Sequence, residues 1–295
     1  MSAAIIDGKQ IAAQIKANVR EEAERLKNER GIVPGLAFIL VGDNSASQMY
    51  VRSKGKACEE MGFHSVTETL PADTSQSQLL DLIRMFNHNP RIHGILVQLP
   101  LPKHIDESKV IEAIDYRKDV DGFHPVNVGR LVTGQPCLRP CTPAGVQELL
   151  CRSGNDPAGK HVVVVGRSNI VGKPVMNILL QKQKGANAVV TIAHTGAHDI
   201  AEFTKLGDIV VAALGKPEVL TGAMLKPGCV VIDVGINRVE DKSVTSGSRI
   251  VGDVHFASAS EVAGAITPVP GGVGPMTIAM LMKNTLDAAT GVLYA

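Results

Sequence analysis

Short apolar runs alternate with longer amphipathic segments along this 295-residue chain. In the first half, apolar residues recur at helical spacing over 11–26, and the apolar run 36–41 predicts a buried strand. The alternation continues with a predicted helix over 47–61, a strand over 66–70, a helix over 79–86 and a strand over 92–99. This order is typical of α/β units arranged around a mostly parallel sheet.

The second half of the chain repeats this alternation. Nearly continuous apolar runs predict strands over 161–165, 188–192, 209–214 and 229–234, as expected where helices cover both faces of a parallel sheet. Helices are predicted over 144–151 and 276–289, and we expect the second of these to pack against the first domain. Glycine and proline crowd the segment 119–143, so we expect an interdomain connection there and not a core element.

The composition is that of a globular chain, with 44% hydrophobic and 20% charged residues, and its length suggests two domains at roughly 150 residues each. The net charge is only +1 and tryptophan is absent, which disfavours nucleic-acid binding. No apolar run approaches the roughly 20 residues of a membrane-spanning helix, and the N-terminus has no basic signal-peptide region. We therefore expect a cytoplasmic protein with neither nucleic acid nor a membrane as partner.

The five cysteines argue against a disulfide framework, because their number is odd and the chain is long enough to build its own core. Cys137 and Cys141 are four residues apart, but no second pair with zinc-like spacing accompanies them. We interpret both as structural residues and expect no metal site.

The turn after the predicted strand 161–165 is the first candidate site. It contains Gly166, Arg167, Ser168 and Gly172, and a glycine-containing strand-to-helix turn brings backbone N–H groups up to a phosphate. Ser168 occupies the second glycine position of the G-x-G-x-x-G pattern. The motif alone is compatible with dinucleotide binding or with a plain α/β turn.

The end of the next predicted strand bears on the choice of dinucleotide. NAD enzymes carry an acidic residue there to hold the ribose hydroxyls, whereas this chain has His194 and Thr195. A 2′-phosphate can use the Arg167 fork together with the Thr195 hydroxyl. The sequence therefore favours NADP over NAD, and we interpret Lys173 as a solvated surface charge.

Tyr50 and Lys54 form a second candidate, because their spacing of four places both on one face of the predicted helix. A lysine in a cleft can act as an acid, a base or a water-orienting group at neutral pH, although such pairs are commonly surface residues. The pair also matches the Tyr-x-x-x-Lys of short-chain dehydrogenases. In that class the pair follows the glycine-rich turn, whereas here it precedes the turn by more than a hundred residues, which argues against that class.

Three further segments carry candidate chemistry. Gln98 ends a predicted strand, where open α/β sheets bind ligands, although its amide can equally bond a neighbouring loop. Asp119 and Asp121 share a glycine-containing loop without a third acid or histidine at metal-ligand spacing, so a carboxylate there can instead accept two N–H donors from a heterocycle. The stiff, small-residue loop 267–275 suits either close approach to a flat ligand or a simple rigid turn.

Taken together, these segments strongly resemble the bifunctional methylenetetrahydrofolate dehydrogenase/cyclohydrolase family (FolD type). The matching stretches, in chain order, are YVRSK at 50–54, GILVQLP at 94–100, KDVDG at 118–122, PCTP at 140–143, VGRS at 165–168, IVGKP at 170–174, DVGIN at 233–237 and ITPVPGGVGPMT at 266–277. They extend over nearly the whole chain, so the resemblance covers both predicted domains.

The resemblance implies a two-domain α/β fold. Residues 1–140 and 276–295 would form an N-terminal substrate domain to which the C-terminal helix returns, and residues 141–275 a Rossmann-like NADP-binding domain. The implied reactions, in one cleft, are oxidation of 5,10-methylenetetrahydrofolate by NADP⁺ to the 5,10-methenyl cation and hydrolysis of that cation to 10-formyltetrahydrofolate, as part of one-carbon metabolism. The family also suggests a homodimer formed through the nucleotide domain.

The resemblance also assigns roles to individual residues. Lys54 would activate or orient the attacking water with Gln98 hydrogen-bonded to it, Tyr50 would stack on the aminobenzoyl ring, and Asp121 would hold the pterin through paired hydrogen bonds. The other implied substrate contacts are Leu99, Pro270, Gly271, Gly274, Pro275 and Thr277. The implied cofactor contacts are Thr142, Gly166, Arg167, Ser168, Ile170, Gly172, His194, Thr195, Ala213, Gly215 and Ile236.

Three alternatives stay open at this point. A monofunctional dehydrogenase would share the scaffold, although the presence of both Lys54 and Gln98 favours two activities. A non-catalytic nucleotide- or folate-binding regulator would keep the fold without turnover. An unrelated dehydrogenase of small acids would show no dependence on folate.

Overall fold

A computed structural model describes residues 2–241 and 247–294. In chain order its elements are β1 (Ala4–Ile5), α1 (Gly8–Arg30), β2 (Gly35–Val41), α2 (Ser45–Glu60), β3 (His64–Leu70), α3 (Gln76–His88), β4 (Gly94–Val97), α4 (Glu107–Ala113), α5 (Pro125–Val132), α6 (Cys141–Arg152), β5 (His161–Val165), α7 (Gly172–Leu179), β6 (Val189–Ala193), α8 (Ala201–Thr204), β7 (Ile209–Ala212), β8 (Val230–Asp233), β9 (Asn237–Glu240), β10 (Ser248–Val251), α9 (Phe256–Ser260), β11 (Ala265–Ile266) and α10 (Val273–Thr290). No helix among the described residues is both long enough and apolar enough to cross a membrane.

The chain divides into two compact units. The three-stranded unit comprises residues 14–141 and 278–295, and the six-stranded unit comprises residues 1–13 and 142–277. Each is named after its main sheet and described by itself.

The three-stranded unit is built on a parallel sheet with the strand order β3-β2-β4. All seven residues of the central strand β2 are buried, as its continuous apolar run predicts. Helix α3 packs its buried face, Leu79, Ile83 and Phe86, into the same hydrophobic cluster as the sheet. Ser75 and Gln78 fix the start of α3 by a reciprocal capping box. The carboxyl end of β4 leads directly into Gln98.

The six-stranded unit contains a parallel sheet with the order β1-β11-β8-β7-β5-β6. Val162 to Val165 of β5 are fully buried, which agrees with helices covering both faces of the strand. The turns that follow β5, β7 and β8 therefore lie at one edge of the sheet, where ligands bind in open parallel sheets. The predicted two-domain α/β class is confirmed by this architecture.

Two parts of the fold differ from the sequence expectations. The segment 119–143 is not a mere connection, because it contains α5 and buries Val120, Leu138 and Cys141 within the three-stranded unit. Its glycines and prolines form turns around core residues. Residues 1–13 belong to the six-stranded unit because β1 pairs with β11, whereas the predicted domain limits place them with the substrate domain. A strand of two residues is too short to be predicted from a hydrophobic pattern.

Candidate active site

Lys54, Gln98 and Leu99 form one hydrogen-bonded chain in the three-stranded unit. Lys54 is 8% exposed and its Nζ donates to Gln98 Oε1 at 3.1 Å. Gln98 Nε2 in turn donates to the carbonyl oxygen of Leu99 at 2.7 Å. Because an ammonium only donates and a carbonyl only accepts, these two partners fix the orientation of the amide. The remaining N–H groups of Lys54 are suited to hold a water molecule.

Asp121 belongs to the same group of side chains through its electrostatics. Burial raises the pKa of Asp121 to about 6, while the positive charge of Lys54 acts in the opposite direction. A partly buried carboxylate beside an ammonium is a feature of functional sites. Tyr50, one turn before Lys54 on α2, is 47% exposed and presents a ring to solvent.

The turn that carries Asp121 is fixed on both sides by buried groups. Asp119 is 2% exposed, and its Oδ2 accepts from the backbone N–H of His124 at 2.8 Å and from Asn127 Nδ2 at 3.0 Å. Asn284 of α10 donates to the carbonyl oxygens of Val120 and Arg139, each at 2.8 Å. The peptide that precedes Asp121 is therefore held in one orientation.

Sequence analysis did not identify Asn284, although a signal for it exists. The residue is a buried amide in α10, two positions after the apolar run 278–282, and a buried amide must find hydrogen-bond partners. Its two carbonyl partners are 164 and 145 residues away in the chain. No local pattern predicts such partners.

In the six-stranded unit, the turn after β5 has the close backbone packing expected of a phosphate-binding turn. Gly166 has φ +130°, and a side chain on it would collide with the carbonyl oxygen of Ala213. A side chain on Gly172 would collide with the carbonyl oxygen of Gly166. Ser168 Oγ accepts from the backbone N–H groups of Val171 at 3.1 Å and Gly172 at 3.3 Å. Its hydroxyl therefore shapes the turn, while Ile170 is exposed at its tip.

Arg167 and His194 come together next to this turn. Arg167 Nη1 lies 3.4 Å from His194 Nε2, and the backbone N–H of Gly196 donates to His194 Nδ1 at 3.0 Å. Thr195, which lies between His194 and Gly196 in the sequence, is exposed. Lys173 instead donates to Asn169 Oδ1 at 2.7 Å, within the turn itself.

The loop after β11 lines a cavity of about 180 Å³ in the six-stranded unit. Four of the predicted substrate contacts and one predicted cofactor contact share this cavity: Pro270, Gly271, Gly274, Pro275 and Ile236. Thr142 and Thr277, predicted to contact different ligands, are directly hydrogen-bonded through their hydroxyls at 2.8 Å. Gly215, after β7, is exposed and has φ +66°.

Comparison with known proteins identifies the family to which this chain is similar. A model of the tetrahydrofolate dehydrogenase/cyclohydrolase catalytic domain matches residues 6–121, and a model of the NAD(P)-binding domain of the same enzymes matches residues 140–292. The chain belongs to the tetrahydrofolate dehydrogenase/cyclohydrolase family. The family predicted from the sequence motifs is therefore confirmed, as is the nicotinamide dinucleotide-binding character of the second domain.

Individual relatives agree along the full length of the chain. It is 60% identical to the bifunctional protein FolD of Moorella thermoacetica over 98% of this chain and 99% of that protein. The crystal structure of the FolD methylenetetrahydrofolate dehydrogenase/cyclohydrolase of Campylobacter jejuni has a TM-score of 0.92 and 47% identity, and covers 99% of this chain and 100% of that one. The Trypanosoma brucei enzyme, solved with NADP and an inhibitor, has a TM-score of 0.92 and 42% identity over 100% of both chains.

These matches decide between the interpretations left open by the sequence. Relatives at this identity are bifunctional, which supports the predicted dehydrogenase and cyclohydrolase over the monofunctional alternative. The regulator and small-acid dehydrogenase interpretations have no support from them. Sequence reasoning thus identified the family, and the structure supplies the contacts within each unit.

Proposed function

We propose that this chain oxidises 5,10-methylenetetrahydrofolate with NADP⁺ and hydrolyses the methenyl product to 10-formyltetrahydrofolate, with Lys54, Gln98 and Asp121 as its central folate-site residues. The observation that carries the proposal is the buried Lys54 ammonium bonded to Gln98. Its charge also acts on the Asp121 carboxylate. This combination supplies a water-holding group and an anion for the pterin within one unit.

The oxidation transfers a hydride from the methylene carbon to the nicotinamide ring. The C–H bond breaks with its electron pair, and the adjacent folate nitrogens stabilise the cation that forms. The protein therefore has to hold two ligands in a reactive orientation and needs no proton acceptor for this step. We assign folate binding to Tyr50, Leu99 and Asp121. We further propose that Thr142, Ile236 and the cavity loop 267–275 flank both the nicotinamide and the folate.

The hydrolysis requires proton handling. Water adds to the methenyl carbon and loses one proton, which gives a neutral carbinol. The C=O bond then forms as the bond from this carbon to N5 breaks, the carbinol proton passes to N5, and the formyl group stays on N10. In our proposal Lys54 holds the attacking water and Gln98 holds Lys54. The Leu99 carbonyl anchors Gln98 in turn, so the water-holding group has a fixed direction.

We assign the preference for NADP to the pair of Arg167 and His194. Since the N–H of Gly196 donates to His194 Nδ1, the neutral ring carries its proton on Nε2, an assignment made from the hydrogen-bond pattern. Arg167 Nη1 and this Nε2–H are then two donors that face each other at 3.4 Å. A 2′-phosphate oxygen supplies the acceptor that both need, and the Thr195 hydroxyl can add a third donor.

The substitution Arg167→Gln tests this assignment. We expect the KM for NADP⁺ to rise by roughly 10- to 100-fold, because a charge-assisted bond to phosphate is lost, while the KM for NAD⁺ stays nearly unchanged. Steady-state dehydrogenase assays with both nucleotides measure the ratio. Lys173→Gln is the matched control, since it removes a nearby cation that is bonded to Asn169. Equal changes for the two nucleotides would contradict the assignment.

The pKa of Asp121 predicts a pH dependence of folate binding. Burial raises this pKa to about 6, and pairing with the pterin requires the ionised form. We therefore expect the dissociation constant of a stable folate analogue to be constant at neutral pH. Below pH 6 it should rise by ~10-fold per pH unit, because only the deprotonated fraction binds. Calorimetry across the range measures this, and Asp121→Asn should abolish the inflection.

The cellular location, the oligomeric state and the metabolic role of the enzyme are also proposals. We infer that the enzyme acts in the cytoplasm as a homodimer, with no nucleic acid or membrane partner. The five free cysteines and the net charge of +1 support this inference, together with the family resemblance for the dimer. A place in one-carbon metabolism that supplies formyl groups, as purine biosynthesis requires, follows from the proposed product.

Two assays on purified protein test the proposed function directly. The first follows NADPH formation from 5,10-methylenetetrahydrofolate, with NADP⁺ and NAD⁺ in parallel. The second follows loss of the methenyl compound without nucleotide. Two positive signals are expected; oxidation without hydrolysis would overturn the role given to Lys54, and silence in both would overturn the proposal.

A further inference from the structure

One carboxylate in the six-stranded unit is held by successive backbone N–H groups of the loop after β7. Asp253 follows β10 and is fully buried. Its Oδ2 accepts from the backbone N–H groups of Leu214 at 2.5 Å and Gly215 at 2.8 Å, and its Oδ1 accepts from that of Lys216 at 3.1 Å. Three successive N–H groups that point at one anion form a nest of the kind that binds phosphate.

The loop around this carboxylate follows β7, at the ligand-binding edge of the sheet. Gly215 has φ +66°, the left-handed step that turns successive N–H groups toward one point. Because Asp253 occupies the nest, these N–H groups are committed within the protein and do not wait for a ligand. The loop therefore has its shape before any nucleotide binds.

The same carboxylate also fixes a second loop. Asn237 Nδ2 donates to Asp253 Oδ1 at 2.9 Å, and Asn237 directly follows Ile236, a wall of the cavity. A side chain on Gly235 would collide with the Asp253 carboxylate. Asp253 thus joins the loops after β7 and β8, which carry the assigned cofactor contacts Gly215 and Ile236.

A second aspartate holds Asp253 itself in place. Asp233, at the end of β8, accepts from the backbone N–H groups of Asp253, Val254 and Gly235, each at 2.9 Å. The backbone N–H of Asp233 donates to Thr267 Oγ1 at 2.8 Å, at the start of the cavity loop. The loops after β7, β8 and β11 are thereby linked through two buried carboxylates.

We propose that Asp253 is a positioning residue for the nicotinamide dinucleotide, which acts by holding the loops 214–216 and 235–237 in the shape that receives the nicotinamide half of the cofactor. The inference rests on the proposed dehydrogenase function. In this role Asp253 touches no reacting atom, and its hydrogen-bond partners all lie among the described residues.

The two activities of the enzyme separate this role from a merely structural one. Oxidation needs the nucleotide, whereas hydrolysis of the methenyl compound does not. For Asp253→Asn, in which an amide NH₂ replaces one acceptor oxygen, we expect the KM for NADP⁺ to rise and dehydrogenase kcat/KM to fall by about 30-fold. The hydrolysis rate should stay within about twofold.

Asp208→Asn is the matched control. Asp208 precedes the same strand β7 at its opposite end, where it accepts from the backbone N–H of His161 at 2.9 Å and from Lys226. It should leave the ratio of the two activities unchanged. Should Asp253→Asn fail to fold, Asn237→Ala removes only the side-chain donor to Asp253 and should still raise the KM for NADP⁺ several-fold.

The result that overturns the inference is a parallel loss of both activities in Asp253→Asn, or a normal KM for NADP⁺ in that variant. If Asn237→Ala is the variant measured, a normal KM for NADP⁺ also overturns it. An inactive wild-type enzyme would instead overturn the proposed function, so the two failures are distinguishable.

Discussion

Replacing Lys54 with methionine should lower cyclohydrolase activity by about 100-fold or more while folate binding persists. General acid–base groups contribute factors of this size, and methionine retains the apolar stem of a side chain that is 8% exposed. The substitution removes the ammonium that donates to Gln98, and in the proposed mechanism this ammonium holds the attacking water. Hydrolysis of the methenyl compound and calorimetric folate binding are the two measurements.

Lys56→Met controls for the loss of a positive charge on α2. Lys56 is exposed on the same helix, two residues further along the chain, and its replacement should leave hydrolysis unchanged. If Lys54→Met hydrolyses the methenyl compound at the wild-type rate, Lys54 has no part in the mechanism.

Replacing Asp121 with asparagine should abolish most of both activities through weakened folate binding. In the proposed pairing with the pterin, the carboxylate accepts hydrogen bonds with both oxygens, whereas an amide would offer one acceptor and place an NH₂ group opposite a donor. Loss of charge-assisted bonds of this kind costs ~2.7 kcal/mol, which is about 100-fold in the dissociation constant. Calorimetry with a folate analogue measures the affinity, and both assays should regain activity at high substrate concentration.

Asp115→Asn provides the control for Asp121. Asp115 pairs with Arg117 near the surface of the same unit, and such pairs contribute little to stability. It should behave as the wild type in both assays. Normal folate affinity in Asp121→Asn would contradict the role assigned to its carboxylate.

Local pattern was sufficient to predict the longer strands of the two parallel sheets, but not the two-residue strands β1 and β11. β2, β5 and β8 are short, continuous apolar runs bounded by turns, and each is completely or almost completely buried. The segment 119–143 misled the same logic, because glycine and proline can surround core residues as well as form a linker. Val120 and Leu138 are fully buried there, and single apolar residues between turns give no periodic signal.

The contacts that orient the candidate site have no local signature. Lys54 and Gln98 are 44 residues apart, Arg167 and His194 are 27 apart, and Leu214 and Asp253 are 39 apart. The family motifs identify most of these residues by resemblance. The partners that hold them, such as Asn284 and Asp253, become evident only when the chain is folded, because their hydrogen bonds join separate elements.

The division of the chain into discontinuous units bears on how fragments of this enzyme can be made. A cut after residue 141 would produce an N-terminal piece without residues 278–295 and a C-terminal piece without β1. The first piece would lack Asn284, so the carbonyl groups beside Asp121 would lose their amide donor. The C-terminal piece would expose the edge of β11, because β1 would no longer pair with it. Exchange of either half between relatives therefore calls for transfer of both sequence segments of a unit together.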